Sequence, residues 1–467
     1  MHYQSTRGSA PILGFEEVLL SGLARDGGLY LPSQWPGLSS ATWRGLVGAD
    51  YCTLAERMLT PFTAGSPVGA QLPDLLQRAY ANFAHKAVAP LVQLEPNLWL
   101  LELFHGPTLA FKDVAMQLLG QLFDAVLKAR GERLTIVGAT SGDTGSAAIE
   151  ALKGREAVEV FILHPKGRTS EVQRRQMTTV AANNVHNLAI EGTFDDCQDL
   201  VKALFNDHAF RDRHHLSAVN SINWARILAQ SVYYAYASLA LGGPERKLDF
   251  VVPSGNFGNV FAGYVAKQMG LPMGQLVIAA NSNDILPRIL ECGAMTMSGV
   301  QPTLSPSMDI QVSSNFERLL FEAMGRDGAA VKALMDRFRA EGSVTLDEAA
   351  LASIRAGFTG DRLDDEGTLG EIRRTHAETG VIVDPHTAVG VTVARRRLAA
   401  GAGASVVLST AHPAKFPDAV EQATGLRPAL PARLGDLYER EERYTTMAND
   451  AEALKSFVGG HVASEAL

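Results

Sequence analysis

Lys112 occupies an unusual position for a charged side chain. Residues 112–128 have the period of an amphipathic helix, and its polar stripe consists of Asp113, Gln117, Gln121, Asp124 and Lys128. Lys112 instead shares the apolar stripe with residues such as Met116, Leu119 and Phe123. Burial and the positive end of the helix dipole both disfavour an ammonium there. The pattern therefore indicates a neutral, nucleophilic amine, with the alternative that the lysine stem packs while its charged head reaches water.

Two glycine-rich turns could bind a phosphate. "GATSGDTGSA" (138–147) and "PSGNFGNV" (253–260) each join a strand-like run to a helix-like run. The first N–H groups of a helix have no intrahelical partner, and together with the dipole they favour an anion. Either turn alone could be only a turn, and neither has the spacing of a nucleotide-binding loop. An activated lysine together with a phosphate cradle suits pyridoxal 5'-phosphate (PLP), which needs both.

Composition excludes several other classes of protein. The chain has 467 residues, of which 46% are hydrophobic and 20% charged, and a formal net charge of -8 without a long basic run. This argues against nucleic acid or an anionic membrane as the main partner. The three scattered cysteines favour a reducing cytoplasm over a disulfide framework or a zinc site. We expect no metal centre, no signal peptide and no membrane-spanning helix.

The order of strand-like and helix-like segments predicts an α/β protein. From about residue 96, short β-branched runs alternate with helical periods, which is typical of a mostly parallel sheet with helices on both faces. We expect an N-terminal, mostly helical segment (1–95), a smaller α/β domain carrying Lys112 (96–225) and a larger α/β domain (226–467). A helical insertion is expected at about 313–380, with capping boxes starting at Thr345 and Thr368 and a helix stop at Gly380. We expect a ligand between the two domains, at the carboxyl ends of their strands.

Seven short blocks, in order, resemble those of the threonine synthase family. They are "STRG" (5–8) with "DGGLYLP" (26–32), "FHGPTLAFKD" (104–113), "GATSGDTGSAA" (138–148), "NSINWARI" (220–227), "VPSGNFGN" (252–259), "DPHTAVG" (384–390) and "STAHPAKF" (409–416). The resemblance covers residues from about 3 to about 420. The long N-terminal segment resembles the bacterial and fungal branch of the family.

The resemblance implies a fold, a cofactor and a reaction. The fold would be the type II PLP fold, as in the β-subunit of tryptophan synthase, with two open, mostly parallel α/β domains. The reaction would convert O-phospho-L-homoserine and water into L-threonine and phosphate, with PLP as the cofactor. Lys112 would form the Schiff base and then move protons among adjacent substrate carbons, and Thr410 would pair with the pyridine nitrogen. The cofactor phosphate would be held by Ser254, Gly255, Asn256, Phe257, Gly258 and Asn259.

The resemblance also implies which residues face the substrate. The loop residues Thr140, Ser141, Asp143 and Thr144 would face the substrate and the edge of the ring. A carboxylate fits a phosphate cradle poorly, so we expect Asp143 to cap its helix or to face the substrate amine or a water. The candidates for binding the substrate phosphate are Arg226, Lys415, Ser141, Thr144 and, more weakly, Asn315 and Arg318. Arg226 stands out because it interrupts an apolar segment.

Several alternatives stay open at this point. His105 and His412 could donate protons, or they could be buried histidines with backbone partners. Another PLP enzyme, either a dehydratase or a phospho-lyase forming 2-oxobutyrate, would use the same lysine and loops. A catalytically inactive relative is a third possibility, against which the intact lysine argues. We expect a cytoplasmic protein, either a monomer or a homodimer.

Overall fold

The computed structural model describes residues 1–218 and 221–462. The strands are β1 (Tyr3–Ser5), β2 (Tyr30–Pro32), β3 (Leu91–Glu95), β4 (Leu98–Glu102), β5 (Leu134–Ala139), β6 (Val158–Pro165), β7 (Val185–Glu191), β8 (Leu216–Ser217), β9 (Asp249–Pro253), β10 (Leu276–Ala280), β11 (Ala294–Thr296), β12 (Ser343–Thr345), β13 (Phe358–Arg362), β14 (Ser405–Ser409) and β15 (Thr445–Ala448).

The helices follow the same chain order. They are α1 (Phe15–Ser21), α2 (Ser40–Gly45), α3 (Tyr51–Thr63), α4 (Leu72–Tyr80), α5 (Lys112–Arg130), α6 (Asp143–Leu152), α7 (Glu171–Thr178), α8 (Phe194–Asn206), α9 (His208–Arg213), α10 (Trp224–Ala240), α11 (Gly258–Gln268), α12 (Ile285–Cys292), α13 (Phe316–Ala323), α14 (Gly328–Glu341), α15 (Glu348–Arg355), α16 (Asp365–Thr379), α17 (Pro385–Ala399), α18 (Pro417–Thr424) and α19 (Ala451–His461).

The larger of two compact units contains residues 1–115 and 221–428. Among the described residues its main sheet has six strands in the order β13-β10-β9-β14-β4-β3, and only β3 runs antiparallel to its neighbour. The central strands β9, β10 and β14 are apolar and buried along almost their whole length, as strands covered on both faces must be. Helix α17 packs on this sheet, with Val389 and Val393 in one core with Val251 and Val407.

The smaller unit contains residues 116–220 and 429–467. Its sheet has the order β15-β7-β6-β5-β8 among the described residues, and all of its pairs are parallel. Its core includes Phe161 and Leu163 of β6, together with Leu454 and Val458 of α19. Both units therefore have the open, mostly parallel α/β architecture that the sequence predicts.

The boundaries of the units differ from those predicted from the sequence. Residues 1–95 belong to the larger unit and are not a separate segment, since β3 joins its main sheet. β1 and β2 form a separate two-stranded antiparallel sheet. Lys112 also belongs to the larger unit, because β4, which leads to it, pairs with β14. The C-terminal residues join the smaller unit because β15 pairs with β7. Sequence periodicity does not show which strands pair, so it could not place these boundaries.

The predicted helical insertion is not wholly helical. Residues 313–380 contain helices α13 to α16, but β13 lies among them as the edge strand of the main sheet, and β12 pairs with β11. The predictions of capping boxes starting at Thr345 and Thr368 are both wrong. α15 is capped by Asp347 and α16 by Asp364, because each of these aspartate side chains accepts a hydrogen bond from a backbone N–H group. Gly380 does end α16, in the left-handed conformation. Among the described helices, none combines the length and apolar character needed to cross a membrane.

Candidate active site

The carboxyl ends of three adjacent strands carry the predicted cofactor residues. Strands β9, β14 and β4 are neighbours and parallel in the main sheet. The chain leaves β9 into residues 254–259, leaves β14 at Thr410, and leaves β4 into the turn that precedes Lys112. Parallel strands place their carboxyl ends at the same edge of a sheet. The fold therefore gathers these three segments at one edge of the larger unit.

The turn before Lys112 is held by a buried carboxylate. Asp113 is fully buried and accepts hydrogen bonds from Thr108 N (2.8 Å) and Thr108 Oγ1 (2.6 Å). Lys415 Nζ donates to the Thr108 carbonyl at 2.8 Å. Leu109 has φ of 63°, the left-handed conformation, which costs a non-glycine residue about 1–3 kcal/mol. Asp113, the first residue of the polar stripe of α5, is therefore buried, because its carboxylate binds the Thr108 side of the turn.

Lys112 is the first residue of α5 and is 9% exposed. The residue before it, Phe111, donates its N–H to the carbonyl of Thr410 (2.8 Å), and Ala110 forms a β-bridge with Ala411. Lys112 and Thr410 are therefore on adjoining backbone segments. Thr410 itself is buried, with 5% of its surface exposed.

The loop 254–259 has the geometry of an anion cradle. The carbonyl of Gly255 accepts a bond from Ser313 Oγ (2.7 Å), and that of Asn256 accepts from Asn315 N and Nδ2 (both 3.1 Å). In a trans peptide the N–H points opposite to the carbonyl, so the amides of Asn256 and Phe257 point away from residues 313–315. Phe257 has φ of 60°, and α11 begins directly after it. Backbone donors and a helix N-terminus therefore converge here, as anion binding requires.

Asn259 adds a buried donor to this cradle. Its Oδ1 accepts bonds from the hydroxyls of Tyr233 and Tyr234. Its Nδ2 is buried and has no hydrogen-bond partner in the structure. A buried donor without a partner costs about 1–3 kcal/mol, which a bound anion would recover. The loop therefore fits a phosphate group.

Arg226 is a second buried donor that lacks partners. It is in the first turn of α10 and is 3% exposed, and its Nε and Nη1 atoms have no hydrogen-bond partner among residues 1–218 and 221–462. Burial lowers the pKa of its guanidinium to about 10. The next residue, Ile227, lies against Gly258 of the cradle, 3.3 Å from where a Cβ on that glycine would be. Arg226 is thus a cationic group in the segment beside the cradle, and no carboxylate of the described residues forms an ion pair with it.

Asn315 and Arg318 brace the backbone around the cradle, and that they also contact the substrate phosphate stays a prediction. Asn315 Nδ2 donates to the carbonyls of Ser221 and Asn256, and its Oδ1 accepts from Arg318. Arg318 also donates to Tyr30 O (3.1 Å) and Ile222 O (2.7 Å), and burial lowers its pKa to about 9. Lys415 is fully buried against the lysine turn, as described above. These three residues were chosen as phosphate ligands from the sequence because of their charge or polarity. Charge and polarity do not reveal which backbone groups a side chain contacts.

The loop at the start of α6 belongs to the smaller unit. Thr140 Oγ1 accepts bonds from Gly142 N and Gly145 N (both 2.9 Å), so this hydroxyl satisfies the first turn of the helix. Asp143 is the first helical residue, and its Oδ1 accepts from Gln173 Nε2 at 2.8 Å. Gly142 and not Asp143 occupies the N-cap position, so of the predicted roles for Asp143 a position facing the substrate amine or a water stays a prediction. That Thr140, Ser141, Asp143 and Thr144 face the substrate stays a prediction, and Asn220 of the "NSINWARI" block lies outside the described residues.

The two candidate histidines have local partners. His105 Nε2 lies 2.7 Å from Glu102 Oε2. His412 Nδ1 accepts the N–H of Ala414 (3.1 Å) and so caps a short helical turn, 413–415. The described His, Cys, Asp and Glu side chains form no cluster that could hold a metal ion. Sequence reasoning missed Ser307, which lies 3.4 Å from the Lys112 amine, because nothing in the letters "LSPSMD" suggests contact with a residue so distant in the chain.

These features define an α/β enzyme that carries a phosphate-bearing cofactor on a lysine. The orphaned Asn259 amide and the outward-facing N–H groups fit the phosphate of PLP. That Lys112 binds its aldehyde and Thr410 its ring nitrogen stays a prediction, with which their adjoining backbone segments are compatible. When bound, PLP acts as an electron sink that stabilises negative charge on the substrate carbon next to the amine.

The comparisons with known proteins agree on one family. Residues 84–411 match the profile for pyridoxal-phosphate dependent enzymes, 2–80 the threonine synthase N terminus, and 387–458 the threonine synthase C-terminal region. Threonine synthase of Pseudomonas aeruginosa is 54% identical over 99% of this chain and 98% of its own. The crystal structure of PLP-bound threonine synthase from Brucella melitensis has a TM-score of 0.96 and 56% identity, and the yeast enzyme 0.94 and 42%, each covering 99% of both chains.

The chain belongs to the threonine synthase family of PLP-dependent enzymes. The predicted fold class, cofactor and enzyme class are thereby confirmed.

Proposed function

We propose that this enzyme converts O-phospho-L-homoserine and water into L-threonine and phosphate. The observation that carries the choice of substrate is Arg226, a buried guanidinium with unpartnered nitrogens in the segment next to the cofactor cradle. A substrate phosphate is dianionic near neutral pH and would supply the missing counter-charge. Serine and threonine carry no phosphate, so a dehydratase acting on them could offer this cation only the substrate carboxylate.

Lys112 is proposed to be the proton carrier. The reaction removes protons from two adjacent carbons, expels phosphate from the third and adds water, so protons must be moved at several positions. A long amine at a buried helix start can act as the base at one carbon and return the proton at another, provided the substrate is fixed. Arg226 would fix the phosphate end of the substrate, so that the amine moves and the substrate does not.

The cysteines of the chain bear on the cellular compartment in which the reaction takes place. The substrate is a small anion, and the three cysteines are free in the structure, which suits the reducing cytoplasm that we propose as its location. That the enzyme is either a monomer or a homodimer stays a prediction.

The reaction is tested by product analysis. Purified enzyme with PLP and O-phosphohomoserine is expected to form threonine and phosphate in equal amounts. Formation of 2-oxobutyrate instead would support the phospho-lyase reading and contradict the proposal. Lys112→Ala is expected to abolish both turnover and the visible absorption of the lysine-bound cofactor. Lys128→Ala, on the exposed end of the same helix, is the matched control and should retain both.

A further inference from the structure

Ser307 contacts both the lysine and the cofactor cradle. Its Oγ accepts a bond from Lys112 Nζ at 3.4 Å, somewhat longer than the roughly 2.7–3.2 Å that is usual for N–H···O bonds. Its carbonyl oxygen lies 3.2 Å from where a Cβ on Gly255 would be, so glycine is needed there for the close approach. One short segment thus bridges the amine and the phosphate loop.

A buried histidine and aspartate hold Ser307 in place. The Ser307 N–H donates to His386 Nε2 at 3.2 Å, and His386 Nδ1 lies 2.7 Å from Asp384 Oδ2. A carboxylate can only accept and an N–H can only donate, so both bonds exist together only when His386 is neutral with its proton on Nδ1. Asp384 is fully buried and also accepts the N–H groups of His386 and Thr387 at the start of α17. The histidine is therefore fixed in both orientation and tautomer.

The rest of the Ser307 loop is anchored separately. Asp309 accepts bonds from Asn281 Nδ2 (2.7 Å), Thr303 Oγ1 (2.7 Å) and Thr303 N (2.9 Å). Asn281 also donates to Ser305 O and Oγ. These bonds fix the loop on the carboxyl side of β10, while His386 fixes the position of Ser307 itself.

We propose that Ser307 is a further catalytic residue that orients the Lys112 amine, and that His386, held by Asp384, is a positioning residue that acts through Ser307. This inference rests on the proposed role of Lys112 as the proton carrier. Proton transfer by a mobile amine is slow whenever the amine's lone pair points away from the substrate. A hydroxyl that accepts a hydrogen bond from the amine limits these unproductive orientations. Loss of one such hydrogen bond in the transition state corresponds to a roughly tenfold fall in kcat.

The first experiment removes the hydroxyl alone. Ser307→Ala keeps the backbone bond to His386, so we expect kcat to fall about tenfold with little change in KM. The rate at which the PLP-free protein captures added PLP, followed by absorbance without substrate, should also fall, since the amine is less well aimed. The control is Ser353→Ala, on the exposed face of α15. Unchanged kcat and capture rate in Ser307→Ala would overturn the proposal.

The second experiment tests the positioning role. His386→Leu removes the acceptor for the Ser307 N–H and should lower kcat. His386→Gln can accept that hydrogen bond through Oε1 and should therefore retain most of the wild-type kcat. In the Ser307→Ala background, His386→Leu should have much less additional effect on kcat, because the two residues act in series. Additive losses, or no recovery with Gln, would show that His386 only stabilises the fold and would overturn its assigned role.

The outcomes separate this inference from the proposed function. If the wild-type enzyme binds PLP but forms no threonine, the proposed function fails, while the PLP capture rates still test Ser307. If the wild-type enzyme forms threonine and Ser307→Ala is indistinguishable from it, only the inference fails.

Discussion

At the scale of single residues, two buried arginines show what sequence can and cannot reveal. Arg226 interrupts an apolar segment and Arg318 ends the segment "SSNFER" (313–318), and both were candidates for binding the substrate phosphate. In the structure Arg318 donates to Tyr30, Ile222 and Asn315, whereas Arg226 has two nitrogens without partners. The difference arises from carbonyl groups that are distant in the chain. Residue type could select both candidates, but it could not show which of them spends its donors on the backbone and which leaves donors unused.

Arg226→Leu is expected to lose activity without losing stability. If Arg226 binds the substrate phosphate, as we propose, removing this cation should lower kcat/KM about 100-fold or more. Replacing a buried charge that lacks partners with an apolar side chain is often neutral or stabilising, so the thermal unfolding midpoint should not fall. Steady-state kinetics and thermal unfolding check the two parts. Inorganic phosphate should raise the midpoint of the wild-type enzyme more than that of the variant.

Arg318→Leu is the matched contrast. It leaves the carbonyls of Tyr30 and Ile222 and the Asn315 side chain without their donor, so the unfolding midpoint should fall clearly. If Arg226→Leu proves as destabilising as Arg318→Leu, Arg226 is a structural residue and not a phosphate ligand.

At the scale of elements, the helix that carries Lys112 was predictable but its turn was not. The periodicity of residues 112–128 identifies α5 and the odd placement of Lys112, and the structure starts the helix at that residue. The left-handed Leu109 and the inward Asp113 could not be predicted, because leucine rarely adopts that conformation and aspartate usually faces solvent. Gly106 is needed because a Cβ there would lie 2.3 Å from Asp113 Cβ.

Asp113→Ala should loosen the turn and weaken cofactor binding. It leaves the buried Thr108 N–H without its acceptor, at a cost of about 1–3 kcal/mol. Asp113→Asn can still accept that N–H and donate to Thr108 Oγ1, so it should resemble the wild type. The measurement is the fraction of PLP retained after dialysis, with the free energy of unfolding in denaturant. Equal damage by Ala and Asn would mean that the negative charge itself is required at the helix N-terminus.

At the scale of the whole molecule, the architecture was predictable from alternation and the boundaries were not. Alternating apolar strands and helical periods indicate parallel α/β units because each parallel strand needs a crossover connection. The same pattern does not say that β4 pairs with β14 or that β15 pairs with β7, since pairing depends on contacts between residues far apart in sequence. For this reason the sequence prediction placed the C-terminal residues in the larger domain, whereas β15 pairs with β7 in the smaller unit.

The attachment of this C-terminal segment to the smaller unit should depend on pH. Glu442 accepts bonds from Arg174 Nε (2.8 Å), Arg174 Nη2 (2.9 Å) and Thr178 Oγ1 (2.7 Å). The bond from Arg174 is the main cause that lowers the pKa of Glu442 below its ordinary value of 4.5. A carboxyl with a lowered folded-state pKa stabilises the fold fully above the unfolded value, and that stability is lost as the pH falls through the folded-state value.

Glu442→Gln should therefore lower stability at neutral pH, and the difference from the wild type should shrink as the pH falls below about 4.5. Unfolding midpoints of both proteins measured from neutral to acid pH test this, with Glu439→Gln on the exposed surface as the control. Limited proteolysis gives a second readout, since cleavage within residues 429–467 should be faster in Glu442→Gln at neutral pH. A stability difference that stays constant across this pH range would show that Glu442 acts through packing and not through its charge.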